Sequence, residues 1–121
     1  MPLEPLSPSL KTLVDLLLQR PLGEPAALQS QVQGHLDALA EAKQQGRLVD
    51  LDIAGQAGRL CLGLLAGWAS HTDEERALIQ AACLYFVEDE DEEDDLRPGG
   101  FADDLEVARW VAYTLSAARR H

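Results

Sequence analysis

The sequence predicts an all-α fold, a single-domain bundle of about five helices with helices three and four central. Three observations predict it. Apolar residues recur at spacings of three and four along most of the chain, and no stretch alternates strictly as a strand would. Start and stop signals for helices stand at the edges of those stretches. A chain of 121 residues with 46% hydrophobic content can build one core but not two ordinary domains. Aromatics make up only 5%, so that core must be built from Leu, Ala and Val.

The first helix is expected over residues 8–20. Ser7 or Ser9 can cap it, and Leu10, Leu13, Val14, Leu17 and Leu18 form its apolar stripe. Pro21 ends it. The second starts near Pro25, since proline suits a first turn whose N–H has no partner. Leu28, Val32, Leu36, Leu39 and Lys43 then share one face, while Gln29, Gln31, Gln33, Asp37, Glu41 and Gln44 face water. Gly46 fits the position just past its end.

The third helix starts at Asp50 or Asp52, either of which can cap, and reaches about Ala69. Residues 60–69 are all apolar or Gly, which leaves no polar face and predicts a central place in the core. Gly55, Gly58, Gly63 and Gly67 each weaken this helix by about 1 kcal/mol relative to Ala. Close approach of neighbouring helices is the expected compensation, and the Gly63-x-x-x-Gly67 spacing reads as tight internal packing.

The fourth helix opens on Thr72-Asp73-Glu74-Glu75, a capping box in which the Thr hydroxyl and the Glu carboxylate satisfy each other's free amides. From 77 to 87 only Gln80 is strongly polar, so this helix too should be mostly buried. The last helix starts between Ala102 and Asp104 and runs to about Arg119. Leu105, Ala108, Val111, Ala112, Leu115 and Ala118 form its inner face, and Arg119 and Arg120 suit its negative dipole end.

The composition breaks between the fourth and fifth helices. Glu88, Asp89, Glu90, Asp91, Glu92, Glu93, Asp94 and Asp95 are eight consecutive acids. Like charges so placed repel, so residues 88–100, ending in Arg97-Pro98-Gly99-Gly100, are expected to form a loop within the single domain 1–121. Lys and Arg total 10 against 21 Asp and Glu, a net charge of −11, and without the run it would be −3. This balance argues against nucleic acid and against an anionic membrane, both of which require a basic face.

No segment reads as membrane-spanning. The longest uncharged stretch, 60–72, falls short of the roughly 20 residues a bilayer requires. Met1-Pro2-Leu3-Glu4 lacks the basic start of a secretory leader. Cys61 and Cys83 fit neither a C-x-x-C pair nor a zinc pattern and are expected as buried, reduced thiols. Together these predict a cytoplasmic chain.

The acidic run offers the clearest chemistry. Carboxylates on a short loop supply the oxygen ligands that Ca²⁺ or Mg²⁺ prefer, although the EF-hand pattern of Gly at position six and Glu at position twelve is absent. The same charge can steer a basic protein. It can also serve only to solvate the loop. Asp103 and Asp104 can cap the last helix, or can return against Asp91 and Asp95 across the Pro-Gly-Gly turn to make a carboxylate cluster. Clustered acids without a cation would have raised pKa values, with Arg97 and Arg109 as internal counter-ions. His35, His71 and His121 show no metal spacing, and Trp68, Tyr85, Phe86, Phe101 and Trp110 read as packing residues. No phosphate loop, dinucleotide fingerprint or nucleophile elbow occurs.

Residues 76–111 resemble the YkvA-like family of small bacterial helical proteins. The resemblance rests on a helix ending in Tyr85-Phe86-Val87, spaced aspartates at Asp91 and Asp95, then Pro98, Gly100 and Phe101, the Asp103-Asp104 pair, and Trp110 on the next helix. Around its first aspartates the family usually carries apolar residues and prolines, where this chain has Glu90, Glu92, Glu93 and Asp94. The resemblance implies a structural or functional aspartate cluster at a helix–loop–helix junction and no agreed activity.

The expected function is that of a non-enzymatic binding or regulatory module with the acidic loop as its interaction surface and a basic protein as partner. One alternative is a divalent-cation site on Asp91, Asp95, Asp103 and Asp104, holding Ca²⁺ or Mg²⁺. Another is an inhibitor or immunity-type protein whose loop occludes a basic toxin or nuclease. The sequence leaves the oligomeric state open.

Overall fold

The computed structural model describes residues 8–46, 51–87 and 102–119, and among these it contains helices and turns but no strand. The helices are α1 (Pro8–Leu18), α2 (Pro25–Gln44), α3 (Leu51–Ala66), α4 (Asp73–Val87) and α5 (Ala102–Arg119), with a 3-10 turn over Trp68–Ser70. α4 packs on all four other helices and α3 packs on α2, α4 and α5, so the expected central pair holds. The composition of α4 explains its place. Ile79, Ala81, Ala82, Cys83, Leu84 and Phe86 are buried, and the small members let neighbours approach from several sides. Among the described residues Phe86 is the largest fully buried side chain, worth roughly 1.5–3 kcal/mol in transfer alone.

α1 stops two residues earlier than its pattern predicts. Gln19 and Arg20 donate their N–H groups three residues back, to the carbonyls of Leu16 and Leu17, at 3.3 and 3.1 Å. This tightened turn delivers the chain to Pro21. Leu10 and Val14 are buried and Leu17 and Leu18 half-buried, but Leu13, expected inside, is 46% exposed. The reason is that α1 packs chiefly on α4, so only a narrow stripe is covered.

α2 begins at Pro25 as expected, after Glu24, whose side chain makes no capping bond. Leu28, Val32 and Leu39 are buried and Leu36 is half-buried, while Lys43 at the end of the same face is exposed. Past its end, Gly46 takes φ +90°, a left-handed conformation that side chains rarely adopt, and its N–H reaches the Lys43 carbonyl at 3.0 Å.

α3 corrects two expectations. It ends at Ala66 rather than Ala69, and it is not buried all round: Asp52, Gln56, Arg59, Gly63 and Ala66 make an exposed stripe. Residues without charge had hidden this face, because Gly and Ala lose little by meeting water. Of the four glycines expected in this helix, only one admits a neighbouring helix. A methyl group at Gly58 would lie 2.7 Å from both terminal methyls of Leu36 on α2. At Gly63 it would meet nothing within 4 Å, at Gly55 only Arg59 of the same helix, and at Gly67 chiefly His71.

The passage from α3 to α4 is held by side chains. The capping box forms: the Glu75 N–H donates to the Thr72 hydroxyl at 3.2 Å, and the Thr72 N–H donates to the Glu75 carboxylate at 2.9 Å. Arg76 donates to the Trp68 carbonyl at 2.9 Å and the Ala69 carbonyl at 3.2 Å, both in the 3-10 turn that follows α3. Its guanidinium also lies 5.8 Å from the centroid of the Trp68 ring.

Gln80 is the one buried polar residue among those described, at 4% exposure. Its place on an apolar helix is explained by the α1–α2 corner. The Gly23 N–H donates to its Oε1 at 2.7 Å, and its Nε2 donates to the Pro21 carbonyl at 2.9 Å. α5 starts and ends where expected and buries Leu105, Val107, Ala108, Val111 and Leu115, with Ala112 half-buried. Val107 is the addition that spacing did not identify.

Candidate functional site

The acidic run joins the end of α4 to the start of α5. Residues 88–95, with Asp91 and Asp95 among them, lie outside the described residues, as does Arg97. Asp103 and Asp104 fall in the first turn of α5, as expected, and their side chains lie outside the described set. Phe86 is fully buried near the end of α4, Leu105 is buried near the start of α5, and the two helices pack on each other. Both ends of the connection are therefore anchored in the core.

The remaining candidates take structural places. Arg109, proposed as a counter-ion for the acids, is exposed and donates to Gln56 Oε1 on α3 at 3.3 Å. His35 sits edge-on to Phe86, with ring centroids 4.9 Å apart. His71 Nδ1 lies 3.3 Å from Glu75 Oε1 and so belongs to the capping junction. The Thr72 amide, followed by His71 and the Thr72 hydroxyl, holds the Glu75 carboxyl below its usual range, with partial burial acting against them. Cys61 and Cys83 are free and buried, as expected. A hydrogen bond to Cys83 and then burial push the Cys61 thiol well above its usual value, which keeps it protonated and unreactive. Phe86 is in the core and Trp68, Tyr85 and Trp110 pack against it, while Phe101 and His121 lie outside the described residues.

The described surface has one feature that sequence reasoning missed. A shallow cavity of ≈ 250 Å³ opens at the α1–α2 corner. Leu28, Leu84 and Ala27 form apolar lining, Gln80 contributes to its wall, and Arg20, Pro21, Gly23, Glu24 and Gln31 complete it. Beside it the chain exposes Leu22, at 41%, and along α1 Leu13 and Leu16, at 46% and 57%. Among the described residues, Tyr113 on α5 is the other large exposed hydrophobic residue. Leu16 carried a sequence signal, since it falls outside the stripe that α1 buries. The cavity carried none, because it is made by residues up to 64 positions apart, Arg20 and Leu84.

Among the described residues no group of three or more His, Cys, Asp or Glu side chains could hold a metal ion, and no helix is long and apolar enough to cross a membrane. Comparison of the chain with known protein families, with characterised proteins and with solved structures finds no match.

Proposed function

We propose that this chain is a non-enzymatic binding or regulatory module whose interaction surface is the acidic run at residues 88–95, and whose partner is a basic protein. The observation that carries the reading is the placement of charge. Eight of 21 acids are consecutive, and they join two helices that are fixed to each other by core packing. A helical frame thus presents one dense patch of negative charge, which speeds encounter with a Lys- and Arg-rich surface and disfavours acidic ones. Buried free thiols, with His35 and His71 engaged in packing and capping, are what a binding module, rather than a nucleophilic enzyme, would contain.

The test compares the chain with a variant in which every acid of 88–95 becomes its amide, each immobilised and exposed to host extract. Basic proteins should bind the unmodified chain at about 50 mM salt, leave by about 500 mM, and ignore the variant. Partners held equally by both chains, or indifferent to salt, would refute the reading.

A second reading draws on Asp103 and Asp104, which open α5 directly after the acidic segment. With Asp91 and Asp95 they would bind a divalent cation such as Ca²⁺ or Mg²⁺, in line with the aspartate cluster that the YkvA-like resemblance implies. Thermal unfolding in EDTA and then in millimolar cation at fixed ionic strength decides it. A specific site adds about 2.7 kcal/mol of apparent stability at a hundredfold excess over its Kd, and an unchanged transition removes this reading.

A further inference from the structure

We infer that the cavity at the α1–α2 corner seats an apolar side chain, the size of leucine, from a basic protein segment whose flanking Lys and Arg residues face the acidic run. The assignment rests on the role proposed for residues 88–95 and adds what the partner must carry beside its charge. The cavity is the first observation. It has ≈ 250 Å³ of space, and Leu28, Leu84 and Ala27 give it apolar walls. The buried polar side chain in its wall is already engaged, since Gln80 bonds to the Gly23 N–H and the Pro21 carbonyl. What fits such a hole is an apolar group, which gains by leaving water.

Position is the second. Leu84 precedes Val87, the end of α4, by one helical turn, and the acidic run begins at the next residue, Glu88. One such turn separates Cα atoms by about 5 Å, and a further peptide adds about 3.8 Å at most. Covalent geometry alone thus starts the run within about 9 Å of the Leu84 backbone, inside the Debye length of about 10 Å at 0.1 M salt. The third observation is the sign of the field. Of the lining residues only Arg20 and Glu24 are charged, and they oppose each other. The run therefore sets the potential beside the cavity, and it is negative. A second copy of this chain would bring a like run against it, whereas a basic segment gains at both places. The run speeds encounter and selects charge, and a seated anchor slows departure.

The probe is a labelled peptide, Lys-Lys-Lys-Leu-Lys-Lys-Lys, compared by fluorescence anisotropy on the whole chain with the same peptide carrying Ser in place of Leu. The Leu peptide should bind at least about fivefold more tightly, because its anchor leaves water. Raising salt from about 50 to about 200 mM should weaken both peptides and leave their ratio unchanged, since apolar burial is not screened. Ala27→Trp fills the cavity from an exposed position of α2 and should bring the ratio to one, with circular dichroism verifying its fold. In NMR spectra of the unmodified chain, the amide signals of Ala27, Leu28 and Leu84 should move with the Leu peptide and stay in place with the Ser peptide. Equal binding of the two peptides, or a ratio that survives in folded Ala27→Trp, overturns the anchor, while salt dependence that vanishes in the amide variant of 88–95 still upholds the run. Binding that is absent, or unchanged in that amide variant, defeats the reading of the run and this assignment with it.

Discussion

Replacing Gln80 tests how α4 holds the α1–α2 corner. Its side chain accepts from Gly23 at 2.7 Å and donates to Pro21 at 2.9 Å. Gln80→Met keeps the length of the side chain and removes both bonds. Each is worth about 0.5–1.5 kcal/mol net, and the backbone groups left behind lie on exposed residues where water can replace the lost partner. The expected destabilisation is therefore about 1–2 kcal/mol, or roughly 4–8 °C in Tm for a domain of this size. Gln80→Ala adds an unfilled space at a site only 4% exposed and should lose about 2 kcal/mol more. Urea unfolding followed by circular dichroism measures both. The reasoning is refuted if Gln80→Met unfolds within about 0.5 kcal/mol of the parent chain, the range of an ordinary surface change. It also fails if Met and Ala are equally destabilising, since packing would then count for nothing.

Three further predictions concern α3 and the α3–α4 junction. Gly63→Ala should stabilise by up to about 1 kcal/mol, because the position is helical and open. Gly58→Ala gains the same propensity but must displace Leu36, so it should come out about 1–3 kcal/mol less stable than Gly63→Ala in urea, and equal stabilities would contradict the close approach of α2 and α3. Thr72→Ala should remove about 1 kcal/mol with its cap. Glu75, whose carboxyl is held below its usual value in the folded chain, contributes stability that is present above its unfolded pKa of about 4.3 and is lost as pH falls through the folded value. Melting curves between about pH 3 and pH 7 should show this loss in the parent chain and less of it in Glu75→Gln, and identical profiles would remove Glu75 as its source.

Much of the fold was legible because its signals are local. Pro25, the Thr72–Glu75 box, Gly46 and the start of α5 each depend on residues a few positions apart, and each stands where its chemistry predicts. Errors arose where burial depends on what lies across the helix. Residues 60–69 looked uniformly apolar, yet Gly63, Ala66 and Ala69 face outward, and α3 gives way to a tighter turn whose carbonyls accept hydrogen bonds from Arg76. Leu13 obeys the spacing of a buried stripe and is exposed because α1 has one main neighbour. Gln80 could be seen as an oddity on α4, but its partners lie 57 and 59 residues away and no spacing rule reaches that far. The acidic run was the plainest functional signal and lies outside the described residues, whereas the corner cavity was invisible until the helices were assembled.

The direct packing of α4 on α5 has a consequence for how such a chain can change over generations. Phe86 near the end of α4 and Leu105 and Val107 near the start of α5 are buried and the two helices pack on each other, so their pairing has a source within the described core. Doubling the length of a flexible connection adds only about 0.6 kcal/mol of closure entropy. Extra chain length between two helices already held by their own packing would therefore cost the bundle little in closure entropy. A change in a core residue such as Phe86 and a change in the length of the connection thus act on the bundle through separate costs, one of packing and one of chain closure.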